Sequence, residues 1–136
     1  MTSEFIIGVH SLVYLNHMKI TISSEELAQN VCTNPARIRK VMAKLKSQGL
    51  IETKEGIGGG YVIGKPAEAV SLYDIKIALD EVAVRASWKS GDPNMECLVA
   101  SGMAGIMDGI YDEINVVCDD YLKGITIDDL DKKIFN

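Results

Sequence analysis

The stretch from residue 33 to residue 63 restricts the fold of this chain more than any other feature. It joins a basic helix, opened by Pro35, to two short apolar runs that are separated by a glycine-rich corner. Proline suits the first position of a helix, because the N–H that it lacks would have no partner there. Glycine permits the positive φ angles of a tight corner. A helix followed by such a hairpin is the pattern of a winged helix-turn-helix.

The basic helix, which Asn34 is expected to cap and Gly49 to end, divides its side chains by angle when each position advances about 100°. One face is apolar and is predicted to pack into the core: Ile38, Val41, Met42 and Leu45. The opposite face is small at its centre and cationic at its margins, with these members: Ala36, Ala43, Ser47, Arg37, Arg39, Lys40, Lys44 and Lys46. Such a face fits the major groove of DNA, where long cations reach phosphates or guanine edges. A solvated helix surface is the alternative interpretation of the same charges.

The predicted wing consists of strands at residues 50–54 and 61–63 with a tip at residues 55–60. Four of the six tip residues are glycines, so backbone N–H groups can approach a phosphate closely. The phosphate loop of a nucleotide enzyme does not fit. No Lys-Ser or Lys-Thr follows the glycines, and the next residues form a strand and not a helix.

The rest of the chain predicts a mainly α-helical protein in which the hairpin wing is the only sheet. Helices are expected at residues 5–18, 25–31, 72–82, 99–122 and 127–134. The helix expected at residues 72–82 carries these apolar residues: Leu72, Ile75, Ile77, Ala78, Leu79 and Val82. We divide the chain into a winged helix-turn-helix domain at residues 1–66, a connecting helix and cysteine-bearing loop at residues 67–98, and a dimerisation segment at residues 99–136.

The long helix near the C-terminus carries apolar residues in alternating steps of four and three: Met103, Met107, Ile110, Ile114, Val117 and Tyr121. This heptad seam predicts a dimerisation helix, although a single core helix shows a similar pattern. Gly102, Gly105 and Gly109 each cost about 1 kcal/mol relative to alanine inside a helix. We expect close helix contact to offset that cost.

The net charge of −5 is the sum of two parts of opposite charge, which meet near Pro66. Residues 1–66 carry 8 Lys and Arg against 5 Asp and Glu, a net charge of +3. Residues 67–136 carry 6 against 14, a net charge of −8. Because local potential governs a phosphate contact, a basic patch can exist on this acidic protein. We expect the acidic half to face away from DNA.

The three cysteines, Cys32, Cys97 and Cys118, are an odd number and lie far apart, so we expect reduced thiols and no disulfide framework. No cysteine and histidine spacing typical of zinc occurs, and we predict no protein-only metal site. The sequence also has no apolar run of about 20 residues and no secretory leader. We therefore expect a cytoplasmic protein without a membrane partner.

Two segments carry a resemblance to a known family: residues 44–51, KLKSQGLI, and residues 56–61, GIGGGY. With the order of elements, the Leu-x-Asp-Ile start of the helix at residue 72, the cysteine-bearing loop and the Thr-x-x-Asp-Leu segment at residues 126–130, the chain resembles the Rrf2 family of bacterial transcription regulators. The resemblance implies homodimers that bind operator DNA and often sense iron–sulfur status, nitric oxide, redox state or cysteine supply. It places the base-reading helix at residues 34–48 and the minor-groove wing at residues 55–61.

The predicted DNA contacts combine the helix and the wing: Thr33, Asn34, Arg37, Arg39, Lys40, Lys44, Lys54, Gly58, Gly59, Gly60 and Tyr61. Many family members have Arg before the wing glycines, whereas this chain has Glu55. A carboxylate there is repelled by the negative potential of a narrow minor groove. We expect wing contact to pass to Lys54 or to weaken.

Cluster-binding members of the family place three cysteines close together before the dimerisation helix, whereas this chain has only Cys97 there. One thiolate cannot hold a cluster that usually needs four protein ligands, so we predict no iron–sulfur cluster and no other cofactor. Iron or acid-labile sulfide in anaerobically purified protein would contradict this. Cys97 is either a thiol sensor or a small buried apolar residue. We expect neighbouring Glu96 to raise the pKa of its thiol.

The sequence thus predicts a dimeric, sequence-specific DNA-binding regulator that represses transcription and responds to a redox or small-molecule signal, which the residues do not identify. The alternative is a winged-helix protein-interaction module without DNA affinity, favoured by Glu55 and the acidic C-terminal half; retention on heparin separates the two. We do not expect an enzyme, because no paired nucleophile and base, no carboxylate pair in a pocket and no cofactor motif is present.

Overall fold

The structure, a computed structural model, describes residues 1–135 of the chain. Its elements follow in this order: α1 (Ser3–Met18), α2 (Ser24–Val31), α3 (Pro35–Ser47), β1 (Ile51–Lys54), β2 (Gly60–Ile63), a 3₁₀ turn (Ala67–Ala69), α4 (Leu72–Ala78), α5 (Leu98–Lys123) and α6 (Ile127–Phe135). The predicted fold class, mainly helical with a small hairpin and a long helix near the C-terminus, is confirmed.

Side chains that the sequence places at helix starts cap these helices. Asn34 accepts a hydrogen bond from the backbone N–H of Arg37 at 2.9 Å, so α3 begins with Pro35 at its first turn. Reciprocal pairs begin α4 and α6, formed by Ser71 with Asp74 and by Thr126 with Asp129. Because each cap satisfies N–H groups that the helix leaves without partners, it contributes about 1 kcal/mol.

The core lies between α1, α3, α4 and the hairpin, and α6 closes it against α1. The predicted apolar face of α3 is fully buried there: Ile38, Val41, Met42 and Leu45. Ile127 of α6 is buried to the same extent, so the end of the chain contributes to the core that the N-terminal helices form. The division of the chain at residues 66 and 98 stays a prediction.

The hairpin is joined to the helices through Ile22, two residues before α2. β1 and β2 are antiparallel, with Ile51 opposite Ile63, and Tyr61 exchanges two backbone hydrogen bonds with Ile22, of 2.8 and 3.0 Å. The neighbouring Gly60 has a φ of +152°, and a Cβ added to it would lie 2.3 Å from the carbonyl oxygen of Ile22. Glycine is therefore required at this position by close backbone approach.

The predicted extent of the helix after Ser71 is wrong, because α4 ends at Ala78. Asp80 adopts a φ of +53°, and the backbone N–H of Glu81 turns back to the carbonyl of Lys76 at 3.0 Å. The apolar period continues past this left-handed turn, but the helix does not. Ile77 and Val82, predicted for the apolar face, are exposed.

α5 has 26 residues, about 39 Å of helix, and none of them is buried within the described chain. Two of the polar contacts that attach it involve α4 and the segment after it. Asn115 accepts from the backbone N–H of Val84 and donates to its carbonyl, both at 2.9 Å. Lys76 Nζ of α4 lies 2.8 Å from Asp119 Oδ1. The two groups form an ion pair, but their angles are not those of a hydrogen bond. Within residues 1–135 no helix has the length and apolar composition of a membrane span.

Gly102, Gly105 and Gly109 do not lie on the heptad seam. On a helical projection they are centred roughly 130° from it. A Cβ added at any of the three would meet no other part of residues 1–135 within 4 Å. Close contact along the seam therefore does not explain these glycines.

Candidate nucleic-acid interface

The face of α3 opposite the core is exposed, as its sequence predicts. Its centre is made of small residues and one lysine, Ala36, Lys40, Ala43 and Ser47, all exposed. Thr33 lies half-buried before the helix, where its N–H donates to the carbonyl of Ala28 at 3.0 Å. Short side chains at the centre of this face permit close approach to a groove floor.

Three cations of α3, Lys40 at the centre of the exposed face and Arg37 and Lys44 on the flank nearer α1, contact the first turn of α1. Lys40 Nζ lies 3.1 Å from Glu4 Oε1, and Lys44 Nζ lies 3.0 Å from Glu4 Oε2. Arg37 donates to the hydroxyl of Ser3. Sequence reasoning assigned Glu4 only to the first turn of α1, because nothing in local spacing signals a contact between residues almost 40 positions apart.

The other flank of α3 contacts α2 and the hairpin. Arg39 donates to the hydroxyl of Ser24 at 3.3 Å and lies 3.9 Å from Glu25, while Lys46 donates to Thr53 Oγ1 at 3.0 Å. Tyr61 stands near this flank. Burial raises the pKa of its phenol, although the nearby Arg39 opposes the shift.

The wing tip is open, and its glycines have two different roles. Gly56 and Gly58 have positive φ angles in open space, whereas a Cβ at Gly59 would lie 2.4 Å from the carbonyl oxygen of Lys54. Lys54 and Glu55 are both exposed, and Ile57 is fully exposed at the tip. Sequence reasoning left Ile57 out of the site, although an isoleucine among four glycines is a signal that could have marked it.

The predicted dimerisation residues form a continuous apolar strip on α5. Met103 is half-buried, and the other five are exposed: Met107, Ile110, Ile114, Val117 and Tyr121. Val117 has 69% and Tyr121 has 63% of its surface exposed, so the C-terminal part of this strip is largely uncovered within the described chain.

Cys97 is exposed at the start of α5, where it is the N-cap residue. The expected pKa direction is wrong. The backbone N–H groups of Ala100 and Val99 lower the pKa of the Cys97 thiol, although its sulfur makes no capping hydrogen bond of standard geometry. A helix start favours an anion, because its backbone N–H groups have no partners within the helix.

Alkylation of Cys97 by iodoacetamide is expected to reach half its maximal rate below the ordinary thiol pKa of about 8.5, because the thiolate is the reacting species. The measurement uses a Cys32→Ser/Cys118→Ser variant, in which Cys97 is the remaining thiol, and follows the product by mass spectrometry from neutral to alkaline pH. A midpoint at or above the ordinary value would show that the backbone N–H groups at the start of α5 do not lower the pKa of the thiol.

Known proteins are similar to this chain in sequence and in fold. The family model described as "Rrf2: Iron-dependent Transcriptional regulator" matches residues 1–133. "Putative HTH-type transcriptional regulator YwnA" of Bacillus subtilis (strain 168) is 22% identical over 135 residues, 99% of each chain. "Putative HTH-type transcriptional regulator YwgB" of the same organism is 30% identical over 75 residues, which span 54% of this chain and only about half, 48%, of that relative. The solved structure of T. potens IscR superposes with a TM-score of 0.73 at 16% identity, covering 98% of this chain and 87% of that one.

The fold, the exposed face of α3 and the glycine wing define a protein of the winged helix-turn-helix class. At 16% identity the structural similarity supports the fold alone. The family match extends over nearly the whole chain. The chain belongs to the Rrf2 family, and it is a transcriptional regulator and not an enzyme.

The family description names iron, but the described residues do not form a ligand set for it. Within residues 1–135 no group of three or more His, Cys, Asp or Glu side chains could hold a metal ion. The three cysteines lie apart, with Cys32 after α2, Cys97 before α5 and Cys118 within α5. That the protein works without an iron–sulfur cluster stays a prediction.

Proposed function

We propose that this regulator is a cytoplasmic homodimer that binds operator DNA and represses transcription. One α3 from each protomer lies in a major groove, and each wing lies against the adjoining minor groove. Repression is the simpler mode, since a dimer bound across a promoter blocks other proteins by occupancy alone. The contacts are those predicted from the sequence: Thr33, Asn34, Arg37, Arg39, Lys40, Lys44, Lys54, Gly58, Gly59, Gly60 and Tyr61.

The observation that carries this proposal is the outer face of α3. Its small centre is exposed, and long cations stand along both margins. A helix of this shape fits a major groove about 12 Å wide, with bases under its centre and phosphates under its margins. Because Lys54 is exposed at the wing and has no ion pair in the described chain, it supplies a second phosphate contact.

The dimer is supported by the uncovered apolar strip of α5. One winged domain reads only a short site, whereas a two-fold dimer reads two half-sites about one helical turn apart. A strip of six apolar side chains at heptad spacing provides that contact. The signal to which the dimer responds is a redox or small-molecule one, and Cys97 is the candidate thiol, exposed and with a lowered pKa.

Replacing Lys40 or Arg37 with alanine is expected to weaken operator binding. The loss is about 1–3 kcal/mol if the side chain reads a base, or the salt slope flattens by about one unit if it contacts phosphate. The operator is first selected from DNA that co-precipitates with the protein, and affinity is then measured by gel shift at several salt concentrations.

Lys132→Ala is the matched control. The side chain of Lys132 is 64% exposed and that of Lys40 is 67% exposed, and each forms an ion pair with a carboxylate. Lys132 lies on α6, away from α3, and its loss should leave binding unchanged. If Lys40→Ala and Arg37→Ala bind every DNA as the control does, α3 is not the contact helix.

A further inference from the structure

The first turn of α1 holds three of the five cations of α3. Glu4 uses both carboxylate oxygens, one on Lys40 at 3.1 Å and one on Lys44 at 3.0 Å. The adjacent hydroxyl of Ser3 accepts from Arg37. Lys40 stands at the centre of the exposed face of α3, and Arg37 and Lys44 stand on its margin nearer α1. All three belong to the DNA contacts of the proposed function.

Glu4 is a bridging anion between two lysines. Its side chain is only 20% exposed, and hydrogen bonds from Lys44 and then Lys40 lower the pKa of its carboxyl. The group is therefore ionised at neutral pH. A carboxylate with its two oxygens on two ammonium groups occupies them as the two free oxygens of a phosphodiester would.

The turn that carries Glu4 is attached from its other side. The hydroxyl of Thr2 contacts the carboxylate of Glu81, and the backbone N–H of Thr2 donates to the same carboxylate at 3.2 Å. Glu81 belongs to the segment after α4, which Asn115 of α5 holds through Val84. Polar contacts thus lead from α5 to the first turn of α1 and on to the margin of α3.

We propose that Glu4 is an internal competitor of the DNA backbone, which occupies Lys40 and Lys44 in the free protein and must share or release them when DNA binds. This inference rests on the proposed function, since it concerns the same face of α3. It makes Glu4 a residue that limits affinity, although it lies outside the predicted contact set. The partner that displaces it is a phosphodiester.

Removing the charge of Glu4 should therefore strengthen DNA binding. Glu4→Gln keeps the size of the side chain and removes one negative charge beside two lysines. With one more uncompensated cation available to phosphate, the slope of log affinity against log salt should steepen by about one unit. We expect affinity for a mixed-sequence duplex to rise about tenfold at low salt, the strengthening that one additional phosphate contact implies.

The experiment compares Glu4→Gln with Glu68→Gln on a mixed-sequence duplex and on heparin, so that no operator is needed. Glu68 is exposed on the 3₁₀ turn, away from α3, and both variants change the net charge equally. Glu4→Asp keeps the charge on a shorter side chain, and its affinity should lie between those of the wild type and Glu4→Gln. Thermal unfolding of each variant shows whether the protein is folded at the assay temperature.

Each outcome decides between the two claims. Binding of the wild type to DNA tests the proposed function. The ratio of the DNA affinities of Glu4→Gln and Glu68→Gln tests this inference. Equal affinity of these two variants, or weaker binding by Glu4→Gln, overturns the inference, because Glu4 then only positions the lysines or lies away from DNA. Glu4→Asp binding as tightly as Glu4→Gln overturns it as well, since charge is then not the cause. A gain by Glu4→Gln where the wild type binds no duplex supports the inference and counts against the proposed function.

Discussion

Replacing Asp119 with alanine is expected to lower the free energy of unfolding by about 3 kcal/mol, because the change leaves a buried ammonium without its counter-ion. The side chain of Lys76 is only 7% exposed, and its Nζ lies 2.8 Å from Asp119 Oδ1. The centroid of the Tyr73 ring lies 5.8 Å from the same Nζ, and an aromatic ring cannot replace a carboxylate. Urea unfolding followed by circular dichroism measures the change.

The Lys76→Met/Asp119→Leu variant is the control for this prediction. Replacing both partners of a buried ion pair by apolar residues of similar size is often neutral or stabilising. The double variant should therefore recover most of the stability that Asp119→Ala loses. If Asp119→Ala unfolds at the same urea concentration as the wild type, Lys76 finds another partner and the pair does not attach α5 to α4.

Replacing Val117 with glutamate is expected to dissociate the proposed dimer, with a dissociation constant raised at least 100-fold, about 3 kcal/mol. Val117 is 69% exposed on the apolar strip of α5, and a dimer that covers the strip would bury the new carboxylate without a partner. Sedimentation equilibrium or light scattering over a range of concentrations gives the constant.

Val116→Glu is the matched control for the dimer. Val116 is 60% exposed and adjacent in sequence, but it points about 100° away from Val117. The same substitution there should leave the dimer intact. Equal dissociation by both variants would show that the interface is not confined to the strip, and a wild-type monomer at all concentrations would exclude the dimer itself.

The sequence predicts the position of α3 within a residue because its signals are local. Asn34 caps the helix, Pro35 occupies its first turn, and Gly49 follows its end with a φ of +73°. The same logic fails at α4. There the apolar period continues to Val82, but the left-handed turn at Asp80 ends the helix earlier, and nothing at Asp80 marks it as more than another polar residue.

The apolar strip of α5 shows where periodicity stops being informative. The alternating steps of four and three identify which side of the helix is apolar, and the structure leaves most of that side exposed. Spacing alone cannot separate a core helix from a dimerisation helix, since both need one apolar face. The glycines Gly102, Gly105 and Gly109 lie away from the strip, and nothing in the structure explains them.

The pKa of the Cys97 thiol shows that the sequence alone is also a limited guide to electrostatics. Glu96 is adjacent in sequence and visible at once, whereas the backbone N–H groups that lower the pKa of the thiol exist only after α5 has formed. A charge in the sequence is easily counted. The partial charges of a helix start depend on where the helix begins.

The amino-acid sequence by itself determined the order of the elements, the buried face of α3, the glycine hairpin and the family, because each depends on residues that are near one another along the chain. The tertiary structure alone decided which distant partners the charged and polar side chains take. It brings Glu4 to Lys40 and Lys44, Glu81 to Thr2, and Asp119 to Lys76. Such contacts depend on how the helices pack. Packing brings together residues that are far apart along the chain, and no periodic pattern in the sequence predicts which of them meet.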